Sequence, residues 1–90
     1  MFENLEELMK TIRERKNSSP HKSYTNKLLN DKSLCVAKVK EEIGELMEAV
    51  EQDSNKIHES ADVIYHLMVY LEANNIKIED VMSELKKRQK

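Results

Sequence analysis

A single glycine, Gly44, and a single proline, Pro20, constrain this ninety-residue chain more than any other feature. Tight hairpins and barrel corners draw on residues that reach positive φ or arrive with φ preset, and a chain with one of each cannot supply a sandwich or barrel with turns. Charged residues at 36% and hydrophobic residues at 39% suit helices with one wet face instead. The expectation is an all-α fold, an antiparallel bundle of four to five helices, with residues 1–90 forming one domain. So short a chain buries only about 60% of the surface its unfolded form exposes, so the core should be thin.

Charge and hydropathy remove whole classes of partner. Fifteen Lys and Arg against seventeen Asp and Glu leave a net charge of −2, which offers no attraction to nucleic acid or an anionic membrane surface. The longest apolar stretch, Val63 to Leu71, is interrupted by His66 and is less than half of what a bilayer crossing needs. The lone Cys35 can form neither an internal disulfide nor a paired thiolate clamp, and no basic-then-apolar leader opens the chain. A cytoplasmic, reducing compartment is the expectation.

Periodicity places the elements. Phe2, Leu5, Leu8, Met9 and Ile12 recur at helical spacing, and the polar run Asn17 to Lys22, holding Pro20, should break that helix. A short helix follows from Ser23 to Leu29, with Ser23 a candidate cap, and Ser33 is the expected N-cap of a longer one. That helix carries Val36, Val39, Ile43, Leu46, Met47 and Val50 as an apolar stripe and should end at Asp53-Ser54-Asn55. Lys56 to Ala73 reads as the next helix, with Ile57, Ala61, Ile64, Met68 and Leu71 as its main apolar face and Tyr65, Leu67, Val69 and Tyr70 around the rest. A helix apolar nearly all round must be covered on several sides, so a homo-oligomer is expected. Asn74-Asn75 should turn the chain into a last helix marked by Ile78, Val81, Met82 and Leu85.

Chemistry concentrates in two acidic clusters, Glu41-Glu42 with Glu45 on one helix and Glu59 with Asp62 on the next. At about 100° per residue, Glu42 shares a face with Glu45 and Glu59 with Asp62. An antiparallel return would set the two pairs opposite each other, and a hard divalent cation such as Mg²⁺ resolves the repulsion of four converging carboxylates. Spacing alone leaves a second reading open, a solvated acidic face supported by pairs such as Lys38 with Glu42. A di-iron site is not indicated, because it needs a Glu-x-x-His pair on two helices and the chain has none. His66 falls on the face of Glu59 and Asp62, where it can orient an acid, touch substrate or, as the commoner arrangement, pack against its i−4 neighbour. Cys35 reads as a small buried group. With one glycine, neither a nucleophile elbow nor a Gly-rich phosphate loop can be built.

Three segments together resemble the phosphoribosyl-ATP pyrophosphohydrolases of histidine biosynthesis, members of the MazG-like all-α nucleoside triphosphate pyrophosphohydrolases. Ser23-Tyr24-Thr25 followed by Lys27-Leu28-Leu29 resembles the family's early signature, and Lys38-Val39-x-Glu41-Glu42-x-x-Glu45 its first metal motif. Glu59-x-Ala61-Asp62-x-x-Tyr65-His66-Leu67 resembles the second, and Ile78 to Leu85 the closing helix. The resemblance implies Mg²⁺-dependent hydrolysis of 1-(5-phosphoribosyl)-ATP to 1-(5-phosphoribosyl)-AMP and pyrophosphate by a homodimer. It makes Glu42, Glu45, Glu59 and Asp62 metal ligands, Glu41 and Glu42 catalytic acids, and Ser23, Tyr24, Thr25, Lys27 and Lys38 substrate-binding residues. Lys22 and Lys40 stand where the family usually has Gly, and Lys77 where a capping Ser is expected. Two other functions are to be weighed: a MazG-like hydrolase clearing ordinary or damaged nucleotides, and a helical interaction module without catalysis.

Overall fold

A computed structural model of the chain describes residues 2–89 and contains, among them, five α-helices and no strand. Helix α1 spans Glu3–Glu14 and runs into a 3₁₀ turn at Arg15–Asn17; α2 spans Tyr24–Leu29, α3 Lys32–Gln52, α4 Lys56–Ala73 and α5 Ile78–Arg88. The frame is the antiparallel hairpin of α3 and α4, with α1 and α2 laid across α4 and α5 touching it at one end. No helix among the described residues is long and apolar enough to cross a membrane.

Local chemistry explains each boundary. Ser23 caps α2, its Oγ accepting from the Asn26 N–H at 3.1 Å. The cap of α3 is Asp31, whose Oδ1 accepts from the Leu34 N–H at 3.0 Å, and not Ser33, which lies within the helix. Asp31 wins because a carboxylate binds the open N–H groups of the first turn more strongly than a hydroxyl does. The α3–α4 and α4–α5 turns are made without glycine: Asp53 (φ 52°), Asn55 (φ 51°) and Asn75 (φ 59°) take left-handed backbone, a conformation short polar side chains tolerate. Across these turns the Ser54 N–H reaches the Ala49 carbonyl at 3.0 Å and the Ile76 N–H the Leu71 carbonyl at 2.9 Å, closing both helices. Gly44 is mid-helix, where an added Cβ would meet nothing. Helix α5 starts at Lys77 with no side-chain cap, as expected from the missing Ser.

The core is small: Met9, Ile12, Leu28, Cys35, Met68 and Val69, with Leu5, Leu8, Leu34, Tyr65 and Leu71 among the residues packed around it. Its placement divides the apolar faces of the hairpin, taking Met68 and Leu71 inward and leaving others outward. In α3 the buried residues are Cys35, Glu42 and Ala49, one every second turn, while Met47 is 68% and Val50 58% exposed. In α4 they are His66, Met68, Val69 and Glu72, while Ile57 is 88% and Ile64 47% exposed. Helices α3 and α4 thus meet through the sides that carry their acids and His66, and turn much of their apolar stripes outward.

Candidate metal centre

The α3–α4 hairpin brings the four paired acids together. Glu42, Glu45 and Glu59 can each place a carboxylate oxygen within 4.8 Å of the others, and so can Glu59 and Asp62 together with a ring nitrogen of His58. Glu59 is common to both groups and joins them into one acidic seam. His58 was not foreseen; the signal was its i,i+4 spacing to Asp62, whose Oδ2 lies 3.4 Å from His58 Nε2.

The seam is electrostatically unfinished among the described residues. Glu42 is buried, and the Oε2 atoms of both Glu42 and Glu59 are shut off from solvent with no hydrogen-bond partner. Such groups cost free energy unless something pairs with them. Burial, and then the neighbouring Glu45, push the Glu42 carboxyl above the usual carboxylate range, with His66 pulling the other way. Burial and Glu45 raise Glu59 as well. A set of convergent, partly dehydrated oxygens with no fixed countercharge matches the needs of a hard divalent cation, so the residues present fit Mg²⁺. A solvated acidic face would have left those oxygens in water.

The remaining candidates sort by position. Glu41 lies outside the seam, exposed and ion-paired to Lys38 at 3.1 Å, so Lys38 pairs at i+3 and not with Glu42 as the sequence suggested. Glu41 holds Lys38 firmly protonated at the rim of the seam. Each hydroxyl of the Ser-Tyr-Thr segment already has a partner inside the fold. Ser23 Oγ serves as the cap, Tyr24 Oη hydrogen-bonds with His66 Nε2 at 3.1 Å, and Thr25 Oγ1 shares a hydrogen bond with Tyr65 Oη. Tyr24 and Tyr65 lie nearly parallel with centroids 6.4 Å apart, and His66 meets Tyr65 edge-on at 4.9 Å. Lys27 is exposed on α2, and Lys22 and Lys40 are also exposed, so neither lysine standing in a glycine position crowds the interior. His66 packs as expected, its Nδ1 donating to the Asp62 carbonyl oxygen at 2.8 Å. Cys35 is buried, and burial pushes its thiol up, which suits a core group and not a nucleophile.

Asn26 also escaped the sequence reading. Its amide donates to the carbonyls of Arg15 at 2.7 Å and Lys16 at 3.2 Å, which fastens α2 to the end of α1.

Comparison with known proteins finds relatives along nearly the whole chain. A family model described as phosphoribosyl-ATP pyrophosphohydrolase matches residues 5–89. A phosphoribosyl-ATP pyrophosphatase of Caulobacter sp. (strain K31) is 41% identical over 91 residues, covering 99% of this chain and 85% of the relative. One from Rhodopirellula baltica is 36% identical, covering 94% and 76%. The histidine biosynthesis trifunctional protein of Kluyveromyces lactis is 44% identical over 78 residues, which span 87% of this chain but 10% of that much longer protein.

Proposed function

The chain belongs to the phosphoribosyl-ATP pyrophosphohydrolase family, a family of hydrolases, and from that premise we propose that it splits phosphoribosyl-ATP into phosphoribosyl-AMP and pyrophosphate with Mg²⁺ held by Glu42, Glu45, Glu59 and Asp62. The observation that carries the metal assignment is the pair of buried, unpartnered carboxylate oxygens on Glu42 and Glu59. When bound, the cation supplies neutralisation of the charge that gathers on departing pyrophosphate and polarises an attacking water.

The chain's own residues supply the rest. Helices α3 and α4 hold the four acids on rigid backbone, so their repulsion is borne by the fold and relieved when a cation enters. Lys38, protonated and at the rim, is the cation placed to exchange Glu41 for a phosphate oxygen. Tyr24 contributes its half-exposed ring, since its hydroxyl is taken by His66. No protein nucleophile is needed, because water attacks the phosphoric anhydride in line.

The homodimer belongs to the same reading. Ile43, Met47 and Val50 of α3 share one face, and Ile57 and Ile64 of α4 another, and all five stand exposed on the hairpin that carries the acids. Five exposed large apolar side chains on one hairpin of so small a chain suit an interface, and a second copy covers them with the same residues. Sedimentation should give twice 10.6 kDa, and Met47→Lys with Ile64→Lys should shift it to the monomer mass; a monomeric wild type would remove the dimer from the reading.

The activity is tested by pyrophosphate release from phosphoribosyl-ATP with and without a chelator. Release abolished by chelation and restored by Mg²⁺ is the expected result. Preference for deoxynucleoside triphosphates would transfer the chain to nucleotide clearance, and no hydrolysis of either would leave the interaction module.

A further inference from the structure

His66, on α4, stands between the acidic seam and the Ser-Tyr-Thr segment, and its two ring nitrogens have different partners. Nδ1 is 2.8 Å from the Asp62 carbonyl oxygen, which can only accept, so the proton sits on Nδ1. In the neutral ring Nε2 is then an acceptor, and the Tyr24 hydroxyl 3.1 Å away is its donor. The ring is buried, which limits competition from water at both nitrogens.

Helix α2 needs such a link. At six residues it cannot maintain itself, and it is fastened to α1 through Asn26 and to the core through Leu28. Its first turn is tied to α4 by two hydroxyls, Tyr24 on His66 and Thr25 on Tyr65. Tyr24 is therefore clamped at its hydroxyl and flanked by Tyr65, yet the residue remains 47% exposed. Lys38, Glu42 and Glu41 all lie close enough for their charges to act on its hydroxyl. An exposed aromatic ring held beside a polyphosphate site is suited to a purine nucleotide, whose base and ribose need an apolar wall next to the charged end.

We propose that His66 is a positioning residue for the reaction: by accepting the Tyr24 hydroxyl while it donates to the Asp62 carbonyl, it locks the Tyr24 ring at the edge of the acidic seam as the substrate's aromatic wall. This rests on phosphoribosyl-ATP being the substrate. The role concerns binding more than chemistry, so it should appear in KM.

The experiment joins kinetics to NMR. Tyr24→Phe keeps the ring and removes the donor; His66→Asn keeps a donor for Asp62 but cannot reach Tyr24; His66→Gln places an amide oxygen near the former Nε2. In Mg²⁺-saturated enzyme, Tyr24→Phe and His66→Asn should each raise KM for phosphoribosyl-ATP about three- to tenfold, as loss of one hydrogen bond implies, with kcat nearly kept. The double variant should be no worse than the poorer single, and His66→Gln should recover most of the loss. Nitrogen-15 spectra of the histidine rings should show the His66 proton on Nδ1, with the Nε2 resonance moving in Tyr24→Phe.

A proton on Nε2, an unmoved resonance, a wild-type KM in either variant, or independent losses in the double variant would each overturn the proposal. If His66→Asn does not fold, Tyr24→Phe decides alone, since it disturbs no packing. A wild-type protein that ignores phosphoribosyl-ATP defeats the substrate reading instead, and the NMR result separates that failure from a failure of the link.

Discussion

Glu42 and Glu72 are equally buried, each 8% exposed, and meet opposite surroundings. Glu72, near the end of α4, receives Lys16 Nζ at 2.5 Å and Arg13 Nε at 3.5 Å, and Arg13 also grips Glu79 with two nitrogens at 3.0 and 2.7 Å. Glu42, halfway along α3, faces Glu45, Glu59 and Asp62 and leaves an oxygen unpaired. Burial alone therefore says nothing about the role of an acid. Where the chain supplies its own countercharge, the carboxylate joins helices; where it supplies more acid, the carboxylate is left with an unpartnered oxygen, the feature on which the Mg²⁺ proposal rests.

Glu42→Gln gives the sharpest separation of the two regions. On the proposed Mg²⁺ assignment it should lower pyrophosphate release by about a hundredfold or more, because a cation's share of transition-state stabilisation is worth several kcal/mol. In the metal-free protein it should hold or raise the melting temperature, since it removes an unpaired buried charge. Activity close to wild type would break the comparison.

Glu72→Gln is the mirror experiment. Removing that acid should cost about 1–2 kcal/mol, moderated because Lys16 and Arg13 are partly exposed and can return to water. A domain this size loses about 4–8 °C of melting temperature per kcal/mol. Turnover well below the new melting point should be nearly unchanged; a large loss of turnover would show that the ion-paired end also serves the reaction.

The pH dependence of melting should differ in sign between the two regions. Arg13 pulls the Glu79 carboxyl down to about 2 from 4.5, so its stabilisation is complete above the ordinary carboxylate range and fades as pH falls from 4.5 towards 2. Glu42 and Glu59 are raised, so protonation favours the folded state and their contribution is lost as pH climbs through their folded pKa values. Without metal, melting temperature should rise on mild acidification and fall at stronger acid. Saturating Mg²⁺ should flatten the first limb, and Arg13→Ala should weaken the second. Identical profiles with and without Mg²⁺ would contradict the cation assignment.

The smallest effect is expected from His58→Ala. Its ring is 73% exposed and touches Asp62 at 3.4 Å, a pair worth about 1 kcal/mol or less. Mg²⁺ affinity by calorimetry should hardly change if the cation is held by oxygens alone. A large fall would add His58 to the ligand set.

Much of this molecule was legible along the chain. The polar breaks at Pro20, Asp53-Ser54-Asn55 and Asn74-Asn75 stand where helices end, and the i,i+3 acids share faces as spacing required, because both are properties of a few consecutive residues. The roles assigned to the Ser-Tyr-Thr hydroxyls were less legible. Spacing says that a hydroxyl is present on a helix and does not say that His66, 42 residues away, accepts it. Glu72 was invisible for the same reason, its partners Lys16 and Arg13 being on another helix.

The amino-acid order by itself determined that the chain is helical, where each helix begins and ends to within a residue or two, and which acids stand side by side on one helix. These follow from hydrogen bonds and side-chain periods that span a turn or two of backbone. Only the tertiary structure decided which face of α3 and α4 turned inward. An apolar stripe can be satisfied by its own core or by another molecule, and the hairpin buried Glu42 and His66 while leaving Met47, Val50, Ile57 and Ile64 exposed. That choice depends on every other helix competing for the same surface, a condition that no local pattern contains.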